Sequence, residues 1–430
     1  MTLTIESATE ATVSFLNRLF ARTPLENVSL RLWDGTLWPD EKPRAATVVL
    51  QHPGALRGML AAGTAKGLGE AYLRNDFDVE GDIEQAVELA MALENRPSGW
   101  LSLLRDYYRL HRLPIVPPAA AGGGDGDGTL WPGQRHSLAR DRKVVSFHYD
   151  VSNDFYRLWL DREMVYSCGY FETPDATLEA AQFAKFRLLC RKLRLRPGQH
   201  LLDIGCGWGG LARHAARHCG VEVKGVTLSG QQAGLAMQRT RDAGLEGQVK
   251  IDLRDYRELR TPERYDAIVS VGMAEHVGRK QLPEYFKTVR SLLKPGGVFL
   301  NHAIGEGPRG RRFHGPSFVD AYVFPDSDIP PVPLVLQAAE TAGFEIRDVE
   351  NLREHYTLTL RHWVRRLEAG REQARALVGE PTYRVWRLYM AASAHGFDHG
   401  DLAVYQTLLA KPDAAGRARL PLTRRDWYAA

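Results

Sequence analysis

The sequence predicts an α/β fold, a mostly parallel sheet with helices on both faces, preceded by a smaller α+β domain. Three observations carry that expectation. Strand-like apolar runs alternate with helical stretches through the second half of the chain. The first of these runs opens into a glycine turn, Leu201-Leu-Asp-Ile-Gly-Cys-Gly-Trp-Gly-Gly210. A Pro/Ala/Gly-rich stretch, 116–128, separates this half from what precedes it. Such a composition buries no core and reads as a flexible linker.

The elements follow in order. Residues 1–115 open with a helix-like segment over Ala11–Ala21. Strand candidates come next at Val28–Trp33 and Ala46–Gln51, and helical patterns run from Gly54 through Tyr107. No acid–base constellation stands out there. Docking, substrate presentation or oligomer contact, including a homodimer, is the expected role, against a purely structural one.

The domain 129–430 holds strand candidates His200–Ile204, Val221–Val226, Val249–Leu253, Tyr265–Val271 and Val298–His302. Helical segments Leu211–His218, Gly230–Ala243 and Lys280–Leu293 separate several of them. Helices of that length between strands imply parallel pairing. Such sheets bind ligands outside the carboxyl ends of their strands, at the switch in strand order. The positions there are 205–209, 227–228, 255–256, 272–276 and 302–305, all rich in glycine or polar chemistry. Gly205, Gly207 and Gly209 suit the turn because a side chain would hold the backbone away from a ligand.

Composition excludes several classes. The formal charge is only +4, so no whole-protein field for nucleic acid is expected. The N-terminal residues lack a basic region and a long apolar run, so no secretory signal is expected. No apolar run is long enough for a transmembrane helix. Cys168, Cys190, Cys206 and Cys219 form no CxxC pair, which argues against metal or disulfide and for a reducing, cytoplasmic setting.

Several motifs occur in a fixed order. They are His148-Tyr-Asp-Val-Ser-Asn-Asp-Phe-Tyr156, Tyr166-Ser-Cys-Gly-Tyr-Phe171, the glycine turn, and Gly225-Val-Thr-Leu-Ser229. Ser270-Val-Gly-Met-Ala-Glu-His-Val-Gly278, Leu293-Lys-Pro-Gly-Gly297 and His302-Ala-Ile-Gly305 follow. Together they resemble the cyclopropane-fatty-acyl-phospholipid synthases and are similar to the mycolic acid cyclopropane synthases. The resemblance runs from about Arg142 to the C-terminus. Residues 1–115 resemble more loosely the accessory N-terminal region of the phospholipid-acting members.

The resemblance implies a class I SAM-dependent methyltransferase fold with a Rossmann-like seven-stranded sheet. It implies methylene transfer from S-adenosyl-L-methionine (SAM) to the cis double bond of an unsaturated phospholipid acyl chain, by way of a carbocation. It also implies how the cofactor is held. Tyr166, Ser167, Gly205, Gly207 and Gly209 would meet the methionine and ribose portions. Thr227, Leu228 and Gln232 would replace the acidic residue that ends the second strand in many such enzymes, and Asp255 and Tyr256 would flank the adenine.

The resemblance further implies a bicarbonate ion as base, held by Glu275, His302 and Tyr356 with backbone at Cys168 and Ile304. Taken singly, Glu275 also reads as a helix-start carboxylate and His302 as a core histidine. Cys168 does not read as a nucleophile, because no paired base is near it in sequence. Among many aromatics, Tyr149 and Tyr322 are the candidates for contact with the cation. Residues 305–333 read as a lid or acyl-channel wall. The arginine-rich segment 353–376 reads as a solvated face or as a basic surface for anionic headgroups, with transient contact at the inner membrane face. A methylene- or methyl-branched product, a small-molecule methyltransferase and a non-catalytic lipid-binding protein are the rival readings.

Overall fold

The computed structural model describes residues 5–21, 25–60, 64–94, 140, 152–310, 318–324 and 328–428. The expected linker and Tyr149 lie outside the described residues. The chain divides into two compact units. One comprises Met1–Thr129, Phe313–Val323 and Gly379–His395, and the other comprises the rest. Two stretches of the range 129–430 therefore group with the N-terminal unit.

The N-terminal unit is built on a four-stranded sheet of order β2-β1-β3-β4. Its strands are β1 (Val28–Arg31), β2 (Leu37–Trp38), β3 (Ala46–Leu50) and β4 (Phe77–Gly81). β1 and β3 run parallel, and the other neighbours are antiparallel. The expected helical run from Gly54 is interrupted by β4. The reason is a two-residue period: Phe77 and Val79 are buried while Glu80 faces solvent. Asn75 and Gly81, both at positive φ, turn the chain into and out of the strand. The segment Gly379–His395 is fixed to this sheet by two buried arginines. Arg384 donates to the Tyr72 and Phe77 carbonyls, and Arg387 donates to the Val79 carbonyl.

The second unit carries a seven-stranded sheet of order β10-β11-β9-β8-β5-β6-β7. Its strands are β5 (His200–Ile204), β6 (Glu222–Thr227), β7 (Val249–Leu253), β8 (Tyr265–Val271), β9 (Leu293–Glu306), β10 (Glu345–Asn351) and β11 (Leu402–Ala410). The run β9-β8-β5-β6-β7 is parallel, and β11 lies antiparallel to both β9 and β10. The five expected strands all form, and β9 is longer at both ends than its apolar centre suggested.

Strands β10 and β11 went unassigned in the sequence. In β10 the usual inside–outside rule is inverted, with Asp348 buried and Val349 exposed. Leu201 packs into one core layer with Leu189, Ala215 and Val269, while its neighbour Leu202 packs into the other with Phe286 and Phe299. This two-sided burial is what a sheet covered on both faces requires. The strand order reverses between β5 and β8, so the ligand-binding crevice belongs at their carboxyl ends.

Candidate functional site

A cavity opens at that switch point. The turn after β5 is tight because the amides of Gly205 and Cys206 both donate to the Val226 carbonyl, at 2.9 and 3.0 Å. Gly205, Gly207 and Gly209 all take positive φ, at 79°, 54° and 76°. A Cβ on Gly207 would meet no protein atom within 4 Å, so this glycine presents bare backbone to the cavity. Gly209 differs from the expectation. It does not line the cavity, and a Cβ there would press on Arg213 and Ala236 at 3.1 and 3.2 Å. The absence of a side chain there lets the helix that follows pack closely.

The other expected cofactor residues, Tyr166, Ser167, Gly205, Gly207, Thr227, Leu228, Gln232, Asp255 and Tyr256, all line this cavity. Each is held by a local device. Thr227 donates to Gln232 Oε1 at 2.7 Å, which sets the orientation of that amide at the end of β6. Asp255 grips the guanidinium of Arg257 through both oxygens, at 2.9 and 2.7 Å. Tyr256 packs edge-on against Tyr285. Trp208 in the turn donates to Asn153 Oδ1 at 2.7 Å, tying the glycine loop to the Ser-Asn-Asp motif.

The segment Tyr166–Cys168 is clamped by the helix Leu178–Lys192. Gln182 donates to the Ser167 carbonyl at 2.9 Å, and Lys185 donates to the Ser167 hydroxyl at 2.7 Å. Lys185 lines the cavity together with Asp203, whose Oδ2 is buried without a partner. Burial pushes the Asp203 carboxyl up to about 7 and the Lys185 ammonium down to about 8. The sequence reading missed Lys185. The available signal was a lysine within an apolar helix face, between Ala181 and Leu188–Leu189.

The five candidates for the base cluster lie beside this cavity rather than in its wall. Glu275 sits in a one-turn 3-10 helix, Ala274–His276, directly after β8. Its Oε1 accepts the Ile304 amide at 2.7 Å. Its Oε2 is buried with no partner, and so is Nε2 of His302. Gly272 donates to the His302 carbonyl at 2.9 Å, which fixes the two strand ends together. Burial raises the Glu275 carboxyl to about 7, partly offset by the Ile304 bond. Burial first, then the charges of Lys185 and Lys192, hold His302 well below its ordinary value.

Cys168 and Tyr356 join the group through Leu352. The Leu352 carbonyl accepts from the Cys168 thiol at 3.7 Å and from the Tyr356 amide at 3.1 Å. The Leu352 amide in turn reaches Val404, the β11 residue opposite Ile304. Cys168 is fully buried, and burial pushes its thiol far above the ordinary range, the opposite of what a nucleophile needs.

Tyr322 groups with the N-terminal unit, where it packs on Phe318. Within the second unit Trp363 bridges the two groups, its ring 5.1 Å from Tyr166 and 6.0 Å from Tyr356. Trp159 and Phe397 extend this aromatic wall. Among the described residues, no helix is long and apolar enough to cross a membrane.

Known proteins resemble this chain. A family model described as mycolic acid cyclopropane synthetase matches residues 136–407. A probable fatty acid methyltransferase of Pseudomonas putida is 40% identical over 93% of this chain and 95% of its own length. The cyclopropane-fatty-acyl-phospholipid synthase of Escherichia coli is 39% identical over 61% of this chain and 66% of its own. A solved structure of the mycolic acid cyclopropane synthase CmaA1 complexed with SAH and CTAB matches with a TM-score of 0.59 at 35% identity. That match covers 62% of this chain and 97% of the solved one. The second unit therefore has the class I SAM-dependent methyltransferase fold, and the chain belongs to the mycolic acid cyclopropane synthetase family of lipid-modifying methyltransferases.

Proposed function

We propose that this protein transfers a one-carbon unit from SAM to the cis double bond of an unsaturated phospholipid acyl chain and closes a cyclopropane ring. The observation that carries the reading is two buried atoms without a protein partner, Glu275 Oε2 just after β8 and His302 Nε2 on the neighbouring β9, with Glu275 tied to β9 through the Ile304 amide. Two such groups on neighbouring elements suit a small polar guest.

SAM supplies an electrophilic methyl group on a sulfonium. The cavity residues fit it: bare backbone at Gly207, the buried carboxyl of Asp203 and ammonium of Lys185 for a zwitterionic end, and Thr227 with Gln232 for hydroxyls. Bicarbonate supplies a proton acceptor small enough to reach a methyl beside an acyl chain. Glu275 and His302 fit it through their free polar atoms, with Tyr356 and backbone at Cys168 completing the group; the Ile304 amide is engaged by Glu275 Oε1 and acts by orienting that carboxylate.

The residues then have three tasks. The glycine turn and the Tyr166–Ser167 segment position the methyl. Tyr166, Trp363 and Tyr356 exclude water and face developing positive charge with π surfaces, a contact that stabilises a desolvated cation by about 2 kcal/mol. Glu275 orients the acceptor and takes the proton onward, its pKa near 7 suiting transfer in both directions. The acyl π electrons form the new C–C bond as the C–S bond breaks. Loss of a proton from the transferred carbon leaves the electron pair that closes the ring.

A second reading is favoured by one observation. The Pseudomonas putida relative that matches 93% of this chain is named a fatty acid methyltransferase, whereas the Escherichia coli synthase matches 61%. On that reading a hydride shift precedes proton loss and gives a methylene branch; a saturated branch needs an added hydride donor. Membrane approach through the segment 353–376 belongs to either reading. Several of its arginines are already neutralised, Arg361 by Asp398, Arg366 by Glu179 and Arg375 by Glu372. Only a modest preference for anionic vesicles is expected.

The test is to extract lipids from a host expressing the protein and record proton NMR. Upfield ring protons, absent from a host expressing Glu275→Gln, support cyclopropanation. Exomethylene or methyl-branch signals without ring protons establish the second reading. Unaltered lipids refute both.

A further inference from the structure

Strand register places Gln406 of β11 opposite His302 of β9. The Gln406 amide lies between two groups. Its Oε1 is 2.8 Å from Lys192 Nζ, and its Nε2 is 3.2 Å from His302 Nδ1. All three side chains are sealed from solvent, at 1% exposure for Lys192, 0% for Gln406 and 2% for His302. Lys192 is itself anchored by Glu350 and, at 3.6 Å, by Asp348.

An ammonium donates and never accepts. The Gln406 atom facing Lys192 must therefore be oxygen, and the amide NH2 must face the imidazole. An NH2 group donates and never accepts, so His302 Nδ1 must carry a lone pair there. The neutral ring then has its single proton on Nε2. The opposite tautomer would set an Nδ1–H against two N–H donors with no water to relieve them.

We propose that Lys192 and Gln406 are positioning residues that lock His302 as the Nε2–H tautomer, presenting one N–H donor to an oxyanion held beside Glu275. Nε2 is the ring atom with no protein partner, so the lock leaves a donor and not a lone pair at the cluster. A donor there recognises a small oxyanion such as bicarbonate and disfavours a metal ion, which would need the lone pair. The oxyanion half of this inference rests on the proposed function; the tautomer rests on the geometry alone.

The experiment uses full-length protein labelled with 15N-histidine and a two-bond 1H–15N correlation spectrum of the imidazoles. The His302 ring is assigned by its loss in His302→Asn. The expected result is the Nε2–H pattern in wild type. Gln406→Glu keeps the side-chain length and can pair with Lys192, but its carboxylate only accepts, so it should reverse the ring to Nδ1–H. Turnover should then fall ~100-fold or more while SAM affinity and thermal midpoint hold.

An Nδ1–H or doubly protonated ring in wild type overturns the proposal. So does a reversed tautomer with undiminished turnover. The wild-type spectrum needs no variant, so the tautomer is decided even if Gln406→Glu does not fold. Gln406→Met, which removes the clamp without reversing it, is the second variant and should show mixed tautomers with a smaller fall in turnover. Unaltered host lipids with an Nε2–H ring would sink the proposed function and leave the tautomer standing.

Discussion

The carboxylate of Glu275 is divided by its bond to Ile304: Oε1 accepts the amide at 2.7 Å, and Oε2 is buried with nothing to bond. A helix-start carboxylate that merely satisfied a dipole would not leave an oxygen in that condition. An unsatisfied buried acceptor costs about 1–3 kcal/mol, so the arrangement fits a site completed by a ligand.

Glu275→Gln retains an oxygen for the Ile304 amide and removes the group that takes the proton onward. Turnover should fall ~10²–10⁴-fold, the usual contribution of a positioned acid–base group. SAM affinity, measured by calorimetry, should hold, because Glu275 does not line the glycine-turn cavity. Loss of SAM affinity would show that its role is structural.

The same substitution should stabilise the protein at alkaline pH. The folded-state pKa of Glu275, about 7, lies above its ordinary 4.5. Between those values the native state binds more protons than the unfolded one, so stability falls as pH rises from 4.5 to 7. A shift of that size corresponds to at most about 3 kcal/mol. Unfolding midpoints of Glu275→Gln and wild type should therefore converge near pH 4 and separate by pH 8, with the variant higher. Parallel curves across that window would contradict the burial-driven shift.

Two glycines of one motif should respond in opposite ways. Gly207→Ala meets no protein atom, so it costs the fold only the left-handed conformation, about 1 kcal/mol, while its methyl enters the cavity. SAM affinity should drop ~10-fold or more, because a good backbone contact is lost. Gly209→Ala strikes Arg213 and Ala236 and should chiefly lower the thermal midpoint. Equal effects of both variants on SAM affinity would show that Gly209 also faces the cofactor.

Much of this was legible in the sequence. The glycine turn, the five parallel strands and the polar strand ends declare themselves because hydrophobic period and turn chemistry are local properties. What stayed hidden depends on distant partners. Strand β10 buries Asp348 between two distant cations, Arg424 at 2.7 Å and Lys192 at 3.6 Å, and no local pattern announces that. Lys185 and Lys192 sit two turns apart on the buried face of one helix, reaching Ser167 and Gln406 respectively. Charged residues inside an apolar stripe were the overlooked clue. That the stretch carrying Tyr322 groups with the N-terminal unit is likewise a fact of topology and not of residue type.

Cys168 should tolerate serine. Its single thiol proton lies within reach of the Gly169 and Leu352 carbonyls, at 3.2 and 3.7 Å, a task a hydroxyl performs as well or better. Turnover of Cys168→Ser should stay within about tenfold of wild type, well short of the loss expected for a nucleophile. Thiol reagents should label it slowly in the folded protein. Inactivation comparable to that of Glu275→Gln would restore the nucleophile reading.

Removing bicarbonate should slow the wild-type enzyme. On the proposed function, buffer freed of carbon dioxide would deprive Glu275 and His302 of their guest and the methyl proton of its acceptor. Turnover should fall while SAM affinity is unchanged, and added bicarbonate should restore it along a saturable curve. Glu275→Gln should show no such recovery, because its amide cannot take the proton onward. A wild-type rate indifferent to bicarbonate would mean that the carboxylate, with its pKa near 7, serves as the base directly.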